Sequence, residues 1–290
     1  MIDFTFTDEQ EMFRKASREF AETRVAPFIP EMEETGKVPS DLVKALAEAE
    51  MLAITIPEEY GGLGLGFVAR MIALEEISRI SSATAMMLQV FALGIDPIVR
   101  FGTKAQKGKY LPALATGERL ASVAVTEPTG GSDPTGGRTT YSREGTDYII
   151  TGRKCFITNA HIADTISVLA KDENDPKAFS VFIIEKGTEG FKATHEEHKV
   201  GMKGCNTGEL SLEKCRVTAD NLLGQEGKGL RVSMTAIGDV GRGGMVGCAL
   251  GIHTACLEAS IKFAKERVLY GKSISVLQTI QNKLAEMKID

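Results

Sequence analysis

The chain has 290 residues, 43% apolar and 25% charged, with a formal net charge of −5 and no basic block. These values are globular, and the length supports one large domain or two to three small ones. The charge balance argues against nucleic acid as a partner, because phosphate attraction needs a Lys/Arg surface. Five Cys residues, at 155, 205, 215, 248 and 256, are odd in number and form no CxxC, which reads as reduced thiols in a cytoplasmic protein. The acidic, amphipathic start MIDFTFTDEQEMFRK is not a signal peptide. No apolar run approaches the roughly 20 residues that cross a bilayer, so no membrane span is expected.

Residues 1–118 read as helical. Thr7 and Gln10 have the spacing of a capping box. Met12, Phe13, Ala16, Phe20 and Val25 then recur at helical spacing until Pro27 and Pro30 interrupt. Ser40 and Asp41 are read as the cap of a second helix with Leu42, Ala45, Leu46 and Ala49 on one face. The glycines of IPEEYGGLGLG, residues 56–66, predict a loop. Ala69 to Ser78 and Ala83 to Phe101 are two more helical runs, the second bent or ended by Gly94 and Pro97. Thr103 to Leu111 is a short helix before Pro112.

Residues 119–225 change to period two, at Tyr148-Ile149-Ile150, Thr165 to Ala170, Phe179 to Ile184 and Glu209 to Leu212. With turn residues between them, they predict an antiparallel sandwich or barrel. Residues 226–290 return to helix. One long apolar run ends near Tyr270-Gly271, and a second helix carries Leu277, Ile280, Leu284 and Met287 on one face. The pattern reaches Asp290 without a Gly or Pro stop signal. Two helices make a poor bundle alone, so the expectation is a C-terminal helical domain of which the first half is present. The fold class is thus α+β: a helical N-terminal domain, a β middle domain and a C-terminal helical part.

The stretch Ser122 to Asn159 carries the chemistry. It opens on Val123 and Val125, breaks into TEPTGGSDPTGG, and closes on Lys154-Cys155-Phe156-Ile157-Thr158. Glycines in such a loop let backbone approach a ligand closely. The TEP…GSD and F-I-T-N runs, in this order, resemble the two flavin-side signatures of the acyl-CoA dehydrogenases. These are flavoproteins that bind FAD and oxidise acyl-CoA thioesters. The resemblance extends over nearly the whole chain.

The resemblance implies that Thr126 bonds the flavin pyrimidine edge and Thr158 the N5 region, with backbone at Val123 and Val125 adding to this. Such donors suit a ring that gains negative charge on reduction. Phe156 stands where many members carry Trp, a ring that shields one flavin face; the other reading is a core Phe. Ser132 would contact CoA phosphate or flavin, or else Ser132-Asp133 only closes a turn. Asp239 and Arg242, three apart, resemble residues that contact CoA, or else pair within the helix. Some members place a catalytic Glu where this chain has Gly241. Arg267, Tyr270 and Gln278 lie in ERVLYGKSISVLQTIQ, similar to a segment that reaches the FAD of a neighbouring subunit, which implies a homo-oligomer, a dimer or tetramer. An electron-transfer flavoprotein is the implied acceptor.

The family's usual base is a Glu in a Y-E-G segment beyond the end of this chain. Within it, Asp96 of FALGIDPIVRFG is the candidate acid/base. Burial would raise its carboxyl toward neutrality, as a base requires; as a turn residue before Pro97 it would face water instead. Three functions stay open: an FAD-dependent dehydrogenase forming an enoyl-CoA, a cyclic acyl-CoA dehydrogenase using Asp96, and a non-catalytic flavin- or partner-binding subunit. His161, His195, His198 and His253 show no metal spacing, and THEEHK reads as a solvated loop.

Overall fold

The computed structural model describes residues 5–289. The readings of residues 1–4 and of the chain end at Asp290 lie outside the described residues. Helix α1 (Asp8–Phe20) starts at the expected capping box: the Thr7 hydroxyl accepts from Gln10 N–H at 3.2 Å, and the Gln10 side chain accepts from Thr7 N–H at 3.1 Å. Its inward stripe is Phe13, Ser17 and Phe20. Met12, expected on that face, is 70% exposed because it lies one position around the helix. Pro27 and Pro30 change the helix type, through a π-turn and a 3-10 turn, into α2 (Ile29–Thr35). In α3 (Ser40–Glu48) the cap is Pro39, in extended backbone, so Ser40 is the first helical residue and does not cap.

Helices α4 (Gly66–Ile80), α5 (Ser82–Phe101) and α6 (Lys104–Ala115) complete this layer. Helix α5 does not end at Gly94 or Pro97; it runs on to Phe101 with Pro97 inside it. Gly94 serves close packing: a Cβ there would stand 2.7 Å from Ser122 N. Helix α5 therefore lies directly against strand β1 (Ala121–Ala124).

The remaining strands are β2 (Thr140–Glu144), β3 (Asp147–Thr158), β4 (Thr165–Asp172), β5 (Phe179–Glu185), β6 (Phe191–Glu196), β7 (Thr207–Val217) and β8 (Leu222–Leu223). Their order is β6-β7-β3-β2-β4-β5-β8, with β1 beside β4. The sheet is mixed rather than purely antiparallel. Both β1 and β2 run parallel to β4, β1 along residues 165–168 and β2 along 171–172. They lie end to end on β4, while β2 covers only residues 147–151 of β3. The second half of β3 ladders with β7 alone, which leaves a seam between β3 and β1.

Strands β4 and β5 are buried on both faces. Leu169, Val181 and Ile183 join the helical core, and Ile166, Val168, Phe182 and Ile184 join the core inside the sheet. There Tyr141, Tyr148 and Phe182 pack edge-on or tilted, with centroids 4.9–5.8 Å apart.

Beyond the sheet come α7 (Gly229–Ala236), a π-turn over Ile237–Gly241, and α8 (Arg242–Glu266). Gly244, Gly247 and Gly251 let α8 close on α4 and α5. A Cβ on Gly244 would stand 1.6 Å from Gln89 Oε1, and one on Gly251 2.2 Å from Glu75 O. The long helix ends at Glu266, not near Tyr270-Gly271. Those two residues, at φ 51° and 77°, turn a hairpin of β9 (Val268–Leu269) and β10 (Lys272–Ser273). Helix α9 (Gln278–Ile289) follows, with no described residue buried.

Among the described residues two helical stretches are long and apolar enough to cross a membrane, Ser82–Phe101 and Gly229–Glu266, against the expectation that no run approached that length. Helix α5 owes its composition to its place in the core, where its most apolar stretch is 61% buried. The second stretch is 22% buried.

Candidate functional site

The seam between β1 and β3 is bridged at its ends and open between them. Cys155 N–H donates to Thr126 O at 3.0 Å, and Ser122 Oγ donates to Thr158 O at 2.6 Å. Val123, Val125 and Thr126 thus face Phe156 and Thr158 across it. Among the described residues neither the Thr126 nor the Thr158 hydroxyl has a hydrogen-bond partner. Both side chains are half-buried, which leaves their hydroxyls available to a ligand.

Phe156 is turned outward by its backbone. The β3–β7 register shifts between Lys154 and Ile157, and Phe156 sits at φ 56°, a conformation that costs a bulky residue about 1–3 kcal/mol. Its ring is 65% exposed, so the reading of Phe156 as core is excluded. Asn159, at φ 65°, anchors the end of β3. Its Nδ2 donates to Met87 O on α5 at 3.1 Å and its N–H to Asn206 O at 2.9 Å.

Behind the seam stands an ion pair that the sequence reading missed. Lys154 is 1% exposed and Glu127 5%, with Nζ to Oε1 at 2.7 Å. Lys154 Nζ also donates to Val125 O at 3.1 Å. The Glu127 carboxylate accepts from Thr139 N–H at 3.1 Å and from Arg138 N–H. Burial works to raise the Glu127 carboxyl, but the Lys154 charge and these donors outweigh it and hold it below the usual range. Burial pulls the Lys154 ammonium down. Removing one member of such a pair typically costs about 3–5 kcal/mol, against 0–1 for the exposed pairs elsewhere. A signal did exist: Lys154 continues the inward phase of Tyr148 and Ile150 along β3, an odd place for a charge.

Between Glu127 and Arg138 runs an exposed loop. Asp133 makes its turn, with Oδ1 accepting from Thr135 N–H at 2.9 Å, and Thr135 keeps the carboxyl low. Ser132 is exposed and takes no part in that turn.

Asp96 lies inside α5 rather than in a solvent-facing turn; its side chain is 14% exposed. Oδ1 accepts from Arg100 Nε at 2.8 Å, while Oδ2 is buried without a partner. Burial raises its carboxyl, and Arg100 only partly offsets this. Arg100 Nη1 also donates to Asp239 at 2.7 Å. Asp239 and Arg242 therefore do not pair, and Arg242 is exposed with no ion-pair partner among the described residues. The π-turn carrying Asp239 is also held by two buried residues absent from the sequence reading. Arg70 Nη2 donates to Val240 O at 2.9 Å, and Gln89 Nε2 to Val240 O and Gly241 O at 3.0 Å each. Burial lowers Arg70 to about 10, still a cation at neutral pH.

Arg267, Tyr270 and Gln278 are exposed around the C-terminal hairpin, outside the seam group. The seam's open strand edge, two free hydroxyls and an outward ring suit a planar, polar heteroaromatic ligand, which the ring can cover while the hydroxyls bond its edge.

Residues 7–118 match the family description "Acyl-CoA dehydrogenase, N-terminal domain", 122–215 the middle domain and 227–290 the C-terminal domain. The chain is 42% identical over 285 residues to an acyl-CoA dehydrogenase of Bacillus subtilis (strain 168), covering 97% of this chain and 75% of that protein. It superposes on butyryl-CoA dehydrogenase from Megasphaera elsdenii with TM-score 0.95 at 35% identity, over 99% of this chain and 77% of that one. It also superposes on an acyl-CoA dehydrogenase from Bacillus anthracis complexed with FAD, with TM-score 0.92 at 37% identity, over 99% of this chain and 49% of that one. The chain belongs to the acyl-CoA dehydrogenase family.

Proposed function

We propose that this oxidoreductase converts an acyl-CoA to an enoyl-CoA with FAD as its cofactor, and that the β1–β3 seam is where the flavin ring lies. When bound, FAD supplies the hydride acceptor at N5 while a base removes the α-proton. Thr126 and Thr158 would hold the ring through their free hydroxyls, with backbone at Val123 and Val125 beside them. Phe156 would cover one face and exclude water there. Ser132, Asp239 and Arg242 would meet the CoA portion; Arg242 is exposed with no ion-pair partner among the described residues, and its fork suits phosphate. Arg267, Tyr270 and Gln278 would complete the FAD site of a neighbouring copy, in a dimer or tetramer. An electron-transfer flavoprotein is the proposed acceptor.

The observation that carries this reading is the pair of partnerless threonine hydroxyls facing an outward aromatic ring across an open strand edge. FAD titration into purified protein, followed by an anaerobic addition of acyl-CoA, tests it. The expected result is stoichiometric FAD binding and bleaching of the flavin band by acyl-CoA. Well-folded protein that takes up no FAD overturns the reading, and bleaching rules out a non-catalytic subunit.

A second reading is favoured by one observation, the buried, partnerless Oδ2 of Asp96. There Asp96 exchanges a proton with a cyclic acyl group such as cyclohexene-carboxyl-CoA. Asp96→Asn that keeps full turnover on that substrate removes this reading.

A further inference from the structure

The Lys154–Glu127 pair takes no part in the chemistry above, yet it stands where the two halves of the seam meet. Glu127 begins the exposed loop and Arg138-Thr139 end it. One carboxylate accepts from both Arg138 and Thr139, so it closes the loop at its neck. Lys154 fastens that neck to β3 and, through Val125 O, to the end of β1. The next two residues of β3 are Cys155, bonded to Thr126 O, and the outward Phe156.

The loop in turn lies against the seam. A Cβ on Gly131 would stand 2.9 Å from Thr126 Cγ2, and one on Gly137 2.9 Å from Glu127 Oε1. No side chain fits between loop and pair. Stability alone is a weak reason for this arrangement, since a buried ion pair is often no better than apolar residues of the same volume. What it does supply is fixed geometry among three chain segments.

We propose that the Glu127–Lys154 pair is the positioning element of the flavin seam, setting the Thr126 side of the site in register with the Phe156–Thr158 side. This rests on the seam reading given under the proposed function. The pair touches no reacting atom. It acts through Val125, Thr126 and the neck of the loop.

The test compares Glu127→Gln, Lys154→Met and their double variant with a control in the same sheet. The control is Ser180→Ala, which removes the buried bond from Ser180 Oγ to Tyr141 Oη away from the seam. Expected is an FAD dissociation constant raised on the order of tenfold or more in each single variant. At saturating FAD their visible flavin band is shifted and less resolved. In Glu127→Gln trypsin also cuts faster after the exposed Arg138, because the amide keeps one acceptor oxygen where the carboxylate had two for Arg138 and Thr139. Ser180→Ala lowers the melting temperature but leaves FAD affinity and the flavin band at wild-type values. The double variant regains melting temperature and not FAD affinity, because nothing then ties β3 to the neck. Wild-type FAD affinity in the singles, or recovery of affinity together with melting temperature in the double, overturns the proposal. Wild-type protein that binds no FAD sinks the seam reading itself, a distinguishable result. If the singles do not fold, the double variant alone decides, by its affinity at restored melting temperature.

Discussion

Asp96 and Asp239, on different helical segments, share one guanidinium: Arg100 Nε donates to Asp96 Oδ1 at 2.8 Å and its Nη1 to Asp239 Oδ2 at 2.7 Å. The two ends differ in their surroundings. Asp239 is 55% exposed at the side chain, and Asp96 14%. Burial therefore raises Asp96 despite the bond to Arg100. A carboxyl raised in the fold holds a proton that the unfolded chain has released. Its contribution to stability is full below the unfolded value, about 3.9, and is lost as pH rises through the folded value. Urea unfolding across that window should show wild type losing stability relative to Asp96→Asn as pH rises. A wild-type-minus-Asn difference that is flat with pH contradicts the burial of this group.

Gly241 and Gly244, three residues apart, should respond to alanine with opposite signs. Gly241 is in ordinary right-handed helical backbone, and a Cβ there meets nothing closer than Leu93 Cδ1 at 3.6 Å. Gly241→Ala should stabilise by about 0.5–1 kcal/mol, through helix propensity and a less free unfolded chain. At Gly244 the Cβ would stand 1.6 Å from Gln89 Oε1. Either Gln89 leaves the π-turn carbonyls or α8 moves off, so Gly244→Ala should lose about 1–3 kcal/mol. Urea midpoints of the two variants check this, and a neutral Gly244→Ala would show that α8 is not closely seated.

Gln89 is the joint of that packing. It accepts from Arg70 and donates to two π-turn carbonyls. In Gln89→Leu the Arg70 cation, 3% exposed, loses an acceptor and the Gly241 carbonyl loses this donor. An unmade buried bond costs about 1–3 kcal/mol, and more at a charge. A loss of at least about 2 kcal/mol is expected. In the double variant Gln89→Leu/Arg70→Met much of it should return, because the stranded charge is gone. A double variant no better than the single would mean that Arg70 is not the group left unsatisfied.

What was legible followed local rules. The Thr7–Gln10 box and the buried face Leu42, Ala45 and Leu46 needed only capping and period; the runs that became β4 and β5 were legible as strands, but period two missed their burial on both faces. The seam residues came from recognising two short motifs, not from physics visible in the chain. What failed involved contacts across the fold. Gly94 and Pro97 are breakers by propensity, yet Gly94 is there to admit Ser122 against α5. Both β1 and β2 lie parallel to β4, end to end along its eight residues, and alternation along one strand carries no information about a partner's direction. Glu127 and Lys154 are 27 residues apart, beyond any local spacing rule. Met12 fell one position from the true stripe, an error of rotation that periodicity over a short helix cannot resolve.

Phe156 offers the clearest separation of ligand binding from folding. A core Phe reduced to a small residue loses about 3–5 kcal/mol. Phe156 is 65% exposed and sits at φ 56°, so the fold gains little from the ring and carries backbone strain to present it. Phe156→Gly relieves that strain, while the freer unfolded chain takes back about 0.5–1 kcal/mol. The net change in stability should lie within about 1 kcal/mol of wild type. FAD affinity should fall on the order of tenfold, as expected for losing one aromatic stacking contact and the apolar area beneath it. Phe156→Val should be worse for stability, because a β-branched residue tolerates this backbone poorly. Thermal melts without FAD, with FAD titrations alongside, measure both effects. A Phe156→Gly protein that melts far below wild type yet binds FAD equally well would make the ring part of the core and leave the seam without its cover.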